Sequence, residues 1–237
     1  DKKIYGEEHP SVARDLNNLG LAWDALGDAK KAIEYYEKAL KIDKKIYGEE
    51  HPSVATMLNN LGGAWYALGD AKKAIEYYEK ALKIDKKIYG EEHPDVATML
   101  NNLGLAWDAL GDAKKAIEYY EKALKIDKKI YGEEHPSVAR DLNNLGLAWD
   151  ALGDAKKAIE YYEKALKILK GTYGEIHPYV ATTLGNIGVA WLTLKDIPKA
   201  IKYIEKSHII FQKILGDQHP DTQAAKKVLD MLKKEVK

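Results

Sequence analysis

The sequence predicts an all-α solenoid of five 42-residue units closed by a C-terminal capping helix, and three observations carry that prediction. The unit DKKIYGEEHPSVARDLNNLGLAWDALGDAKKAIEYYEKALKI starts at Asp1, recurs at Asp43, Asp85 and Asp127, and returns in altered form at Leu169. Each unit holds two stretches of apolar residues at helical spacing, parted by a Gly-Asp turn, and no strand pattern interrupts them. A fixed period of this length marks a solenoid, in which a unit can bury its apolar face only against its neighbours. The chain is therefore read as one elongated domain, 1–237. Its repeats are 1–42, 43–84, 85–126, 127–168 and 169–210, with a capping segment at 211–237.

The elements follow in order. Pro10 suits the first position of a helix because its missing N–H has no partner to lose there. From it, Val12, Leu16, Leu19, Trp23 and Leu26 are spaced by four, three, four and three, one face of a helix A. Gly27 supplies the left-handed residue that ends it, and Asp28 caps the next helix. Helix B is expected over 29–47, with Ala29, Ala32, Ile33, Tyr36, Ala39, Leu40, Asp43 and Ile46 facing inward. Lys30, Glu34, Glu37, Lys38 and Lys41 lie outside, where i,i+4 pairs add only ~0.2–0.5 kcal/mol each. A lone unit is not expected to fold. Its few large apolar side chains contribute ~1.5–3 kcal/mol each, against ~1–2 kcal/mol of backbone entropy for every residue ordered.

The fifth unit departs from the template at Asp196-Ile197-Pro198 and Ser207-His208. After Gly216-Asp217-Gln218-His219-Pro220 a last helix, rich in Lys and lacking the Trp and Leu-Gly signature, runs to about Val236 and is expected to cover the final apolar face. At the other end Asp1 is no initiator Met, and DKKIYG reads as the tail of a unit. A piece of a longer array is expected, with Val12 and Leu16 exposed and prone to self-association.

Composition narrows the function. Lys plus Arg and Asp plus Glu are 37 each, a balance that argues against nucleic acid as a partner. The absence of cysteine excludes a disulfide scaffold and thiolate metal sites, and suits a cytoplasmic location. No apolar run approaches the ~20 residues of a membrane span, and no signal peptide is visible.

The stretch LNNLGLAWDALGDAKKAIEYYEKALKID resembles the tetratricopeptide repeat. Leu19-Gly20, Trp23, Gly27-Asp28, Ala32, Tyr36 and Ala39 stand where that family places its large and small packing residues. The resemblance implies a right-handed superhelix of antiparallel helix pairs, with A helices lining the concave side. Where the common form ends helix B with Asp-Pro, this chain has Asp43-Lys44, so helix B can run on by about a turn. The long form, with NNL in helix A and an HP turn between units, is similar to the repeats of kinesin light chain and of bacterial multidomain arrays. Both relatives are interaction modules, so the resemblance implies a protein or peptide partner.

The near-identity of the copies isolates what varies. Among the first four units only the positions of Ser11, Arg14, Asp15, Leu21 and Asp24 change, all in helix A. The expected groove stripe comprises Arg14, Asn17, Asn18, Leu21 and Asp24, then Thr56, Asn59, Asn60, Gly63 and Tyr66. It continues through Thr98, Asn101, Asn102 and Asp108 to Arg140, Asn143, Asn144 and Asp150. Two readings stand: the second unit is tuned for a ligand by Gly63 and Tyr66, or duplicates drift where packing is loose. The asparagine pairs need a reason, because Asn is a poor residue inside a helix. A carboxamide can grip a peptide backbone, or one of each pair can bond the neighbouring repeat's backbone.

Other candidates are set aside. His9, His51, His93, His135 and His177 recur one to a turn, whereas a zinc site needs three or four converging ligands. They are expected to cap or pack helices, and no metal or cofactor is predicted. Trp23, Trp65, Trp107, Trp149 and Trp191 lie on the apolar stripe and are read as core. No constellation unique to one place suggests an enzyme. The function expected is a non-catalytic interaction module that binds an extended peptide or partner helix. The alternative is a structural spacer or self-associating scaffold.

Overall fold

The computed structural model describes residue 6 and residues 8–235, and among these every regular element is helical. The A helices are α1 (Pro10–Ala25), α3 (Pro52–Ala67), α5 (Pro94–Ala109), α7 (Pro136–Ala151) and α9 (Pro178–Thr193). The B helices are α2 (Ala29–Tyr47), α4 (Ala71–Tyr89), α6 (Ala113–Tyr131), α8 (Ala155–Tyr173) and α10 (Ile197–Leu215). The last helix is α11 (Pro220–Glu235). The expected unit tail at 1–5 and the end of the capping helix at Val236 lie outside the described residues.

Each helix begins and ends for a local reason. Pro10 opens α1, and the imidazole Nδ1 of His9 accepts a hydrogen bond from the Ser11 amide at 3.2 Å. The same His cap recurs at His51, His93, His135, His177 and His219, and the first four of these rings stack on Tyr47, Tyr89, Tyr131 and Tyr173 at 4.1 to 4.3 Å. The capping expected of these histidines is thus observed. Gly27 turns the chain at φ 79°, and Asp28 caps α2 by accepting from the Lys31 amide at 3.1 Å. In the fifth repeat Lys195 takes the glycine's place and still adopts φ 61°.

The chain divides into two compact units, Asp1–Tyr119 and Tyr120–Lys237. In the first, α1 packs on α2, α3 on α4, and each B helix on the A helix that follows. Leu61 and Ala64 of α3 are fully buried against Ala29, Ala32, Ile33 and Tyr36 of α2. Leu103 and Ala106 of α5 repeat this on Ala74, Ile75 and Tyr78 of α4. In the second unit Ile187 and Ala190 of α9 do so on Ala155, Ala158, Ile159 and Tyr162 of α8. There α11 closes the stack, laying Leu229 and Leu232 on Ala200 and Ile204. A buried side chain of this size contributes ~1.5–3 kcal/mol.

Three expectations about the core need correction. Val12 and Leu16 are buried, packed with Ala39 and Met57, and on the predicted apolar face of α1 it is Leu19 that stands exposed. Leu26 is exposed because it is the residue that caps α1, past the last helical turn. Ile46 is exposed because α2 spans 19 residues against 16 in α1, and its last turn outruns the packed length.

Candidate binding face of the A helices

Helix A meets helix B through a glycine. A Cβ on Gly62 would stand 2.5 Å from Cε1 of the buried Tyr78, and Gly20, Gly146 and Gly188 face Tyr36, Tyr162 and Ile204 in the same way. This side of helix A is closed to any partner. The adjoining side carries the stripe of positions 14, 17, 18, 21 and 24 and their equivalents, with position 21 turned by about 100° from position 20.

In the first unit Arg14, Asn18, Leu21, Asp24, Thr56 and Tyr66 are exposed, while Asn17, Asn59, Asn60, Gly63, Thr98, Asn102 and Asp108 are half-buried. Asn101 is buried, at 5% exposure. Thr56 and Thr98 return their hydroxyls to the carbonyls of Pro52 and Pro94, each at 3.1 Å. Burial raises the carboxyl pKa of Asp108 above its usual range.

The asparagines form a ladder. Asn60 donates its side-chain amide to Oδ1 of Asn17 at 2.8 Å, and Asn102 to Oδ1 of Asn59 at 2.9 Å. In the second unit Asn186 donates to Oδ1 of Asn143 at 3.4 Å, and the Thr183 hydroxyl, which donates to the Tyr179 carbonyl at 2.9 Å, lies 3.4 Å from the same oxygen. Both members of the pair Asn59-Asn60 bond a neighbouring repeat, Asn60 the one before and Asn59 the one after, through side chains rather than the backbone. The cost of Asn inside a helix is offset by these repeat-to-repeat bonds.

In the second unit Arg140 and Leu147 are exposed, and Asn143, Asn144 and Asp150 are half-buried. Burial raises the pKa of Asp150, whose Oδ1 meets no donor. The Arg140 guanidinium is held by Asp127 and Asp141, at 3.2 and 3.0 Å from Nη2. Position 15 is not part of the open stripe. Met57, Met99, Asp141 and Thr183 are all buried there.

A cavity of about 380 Å³ lies along α7 and α9, lined by Ala139, Arg140, Asn143, Leu169, Tyr173, Tyr179 and Thr183, among others. Its counterpart in the first unit, about 320 Å³, has Asp43, Ser53 and Met57 where this one has Leu169, Tyr179 and Thr183. Sequence reasoning missed Tyr179, Tyr173, Leu169 and Thr183. The signal was present, since Tyr179, Leu169 and Thr183 replace residues of the repeat template.

The tryptophans sit at the edge of the core, half-buried, with a lysine ammonium over each ring at 3.4 to 3.8 Å. Among the described residues no helix is long and apolar enough to cross a membrane, and no group of three His, Cys, Asp or Glu could hold a metal ion.

The profile of the Tetratricopeptide repeat family matches residues 1–45, 24–87, 53–129, 108–171 and 151–203. A solved structure from Podosopora anserina, of kinesin light chain nearly identical TPR-like repeats, is 27% identical over 86% of this chain and 97% of its own, with a TM-score of 0.73. BtubC (BKLC) from P. vanneervenii is 28% identical over 89% of this chain and 84% of its own, with a TM-score of 0.76. The apo form of RapI, 20% identical over 85% and 70% of the two chains, shares the fold at a TM-score of 0.73. No curated protein matches the chain in sequence.

Proposed function

Because the chain belongs to the tetratricopeptide repeat family, we propose that it is a protein-interaction scaffold whose A helices present a docking face for an extended peptide or a partner helix. One observation carries this reading. The face of helix A that does not meet helix B is where Leu21, Tyr66, Leu147 and Val189 stand exposed. Positions 21 and 24, which supply these side chains, also change from repeat to repeat, while residues 29–42 of helix B and their equivalents are constant in the first four units. Apolar side chains at helical spacing offer anchors, and the flanking carboxamides and hydroxyls can meet a backbone. Arg14 and Arg140 share the stripe with Asp24, Asp108 and Asp150, so the charge is mixed and a strongly acidic or basic partner is not favoured.

The test uses a diverse displayed-peptide library. The parent chain is compared with a variant carrying Leu21→Lys, Leu147→Lys and Val189→Lys, all exposed positions whose change leaves the core intact. Peptides enriched by the parent and lost by the variant, at equal helicity and Tm, support the docking face. Equal enrichment by both, or none by either, contradicts it.

A second reading, a self-associating scaffold, is favoured by a different residue. Leu19 is 46% exposed, whereas its equivalents Leu61, Leu103 and Leu145 are fully buried. Sedimentation of the parent and of Leu19→Lys over a range of concentrations separates the two. Association lost in the variant supports the scaffold, and a monomer throughout rejects it.

A further inference from the structure

Among the described repeat junctions, one buries two carboxyls together. The buried residue near the end of helix B is Asp43, Asp85, Asp127 or Leu169 in successive repeats. At the equivalent place in the following helix A stand Met57, Met99, Asp141 and Thr183. Asp127 near the end of α6 and Asp141 on α7 therefore differ from their counterparts, and Arg140 joins them. Its Nη2 donates to Oδ2 of Asp127 at 3.2 Å and to Oδ1 of Asp141 at 3.0 Å, and its Nε to the same Asp141 oxygen at 3.1 Å. Asp127 and Asp141 are 2% and 0% exposed.

Two buried negative charges against one positive charge leave the cluster unbalanced, and an unpaired buried charge is costly. The remaining oxygen, Asp141 Oδ2, is buried and meets no donor. Both carboxyls meet the one Nη2 of Arg140, so their negative charges are brought together, and a proton taken up by either relieves the repulsion. A single shared proton makes the cluster neutral and supplies the missing donor. We propose that Asp127 and Asp141 hold one proton between them, and that its release loosens α7 from the end of α6, making this junction a pH-sensitive joint.

The groups facing the pair are few. Arg140 on α7 and His135 in the preceding turn are the charged or titratable neighbours that act on it. On α8 the residues packed with Val138 and Leu142 are Ala165 and Leu169, which carry no charge. Burial pushes Asp141 up, to about 7, with Arg140 opposing the shift and Asp127 reinforcing it. The sign follows. The folded chain keeps a proton that the unfolded chain has already lost above the ordinary carboxylate range, so stability falls as pH rises towards 7 and levels off beyond it. Asp43 and Asp85 are also raised by burial and add a background that a reference variant must share.

That reference is Arg140→Thr with Asp141→Met, which installs the Thr-Met pair this fold already carries at Thr56-Met57 and Thr98-Met99. Urea unfolding of the full chain is compared at about pH 5 and pH 8. The parent's folding equilibrium constant should fall by about tenfold or more relative to that of the double variant. Asp127→Asn, which leaves Asp141 paired with Arg140 alone, should flatten the profile as well. Amide exchange in α7, corrected for intrinsic rate, should quicken with pH in the parent and in neither variant. A parent profile parallel to that of both variants overturns the proposal.

Discussion

Gly62 and Gly63 are neighbours in α3 that look alike in sequence and do opposite things. Gly62 is buried, and the ring of Tyr78 occupies the place its side chain would need. Gly63 points past the core, and the nearest atom to a Cβ there is the Tyr78 hydroxyl at 3.7 Å. Position 20 is glycine in all five repeats, whereas position 21 is Leu21, Gly63, Leu105, Leu147 and Val189. One step along a helix turns a side chain by about 100°, enough to move it from a seam that admits no atom to a face that admits several. The repeats keep glycine where helix A meets the helix B of its own repeat, and they vary at position 21, where helix A meets solvent.

Substitutions that touch the seam should cost most. Leu61→Ala empties a fully buried site and should lower stability by about 2–5 kcal/mol in urea unfolding. Gly62→Ala should follow at about 1–3 kcal/mol, because the overpacking against Tyr78 outweighs the better helix propensity of alanine. A Gly62→Ala chain as stable as the parent would break the contrast at its root.

Smaller effects should appear away from the seam, with the opposite sign. Lys195→Gly should stabilise by about 1 kcal/mol, since Lys195 holds the left-handed conformation that glycine takes in the other four repeats. Gly63→Ala should stabilise by roughly 0.5–1 kcal/mol, the helix propensity gained where nothing is displaced. Tyr66→Asp should shift stability by no more than ~0.5 kcal/mol, while weakening capture of any peptide that lies along α3. Calorimetric Tm values order the first two, and a cost in place of either gain would show that the open face is less open than its geometry.

Much of this fold was legible before the structure. The bounds of helix B, 29–47, follow from Asp28 and Gly48, whose roles as cap and stop are local. The pairing of Gly20 with Tyr36 was legible only as a family pattern, since nothing in the spacing says that one residue fills the space beside the other. Leu19 and Leu26 show the limit of periodicity. Both lie on the predicted apolar face, yet their burial depends on a neighbouring helix and on the place where α1 stops. The asparagine ladder was half legible. The rarity of Asn inside a helix demands a partner, but side chains 43 residues apart meet only after the repeats have stacked. The Asp127–Arg140–Asp141 cluster was hidden too, because its two carboxyls sit on different helices, one near the end of α6 and one in α7, and meet only when those helices pack.

Amide hydrogen exchange of the chain with and without a captured peptide tests the docking face proposed on the open side of helix A. Slowed exchange concentrated in α1, α3 and α5, or in α7 and α9, is the predicted footprint. Slowed exchange confined to the charged outer faces of α2, α4, α8 and α10 would contradict it.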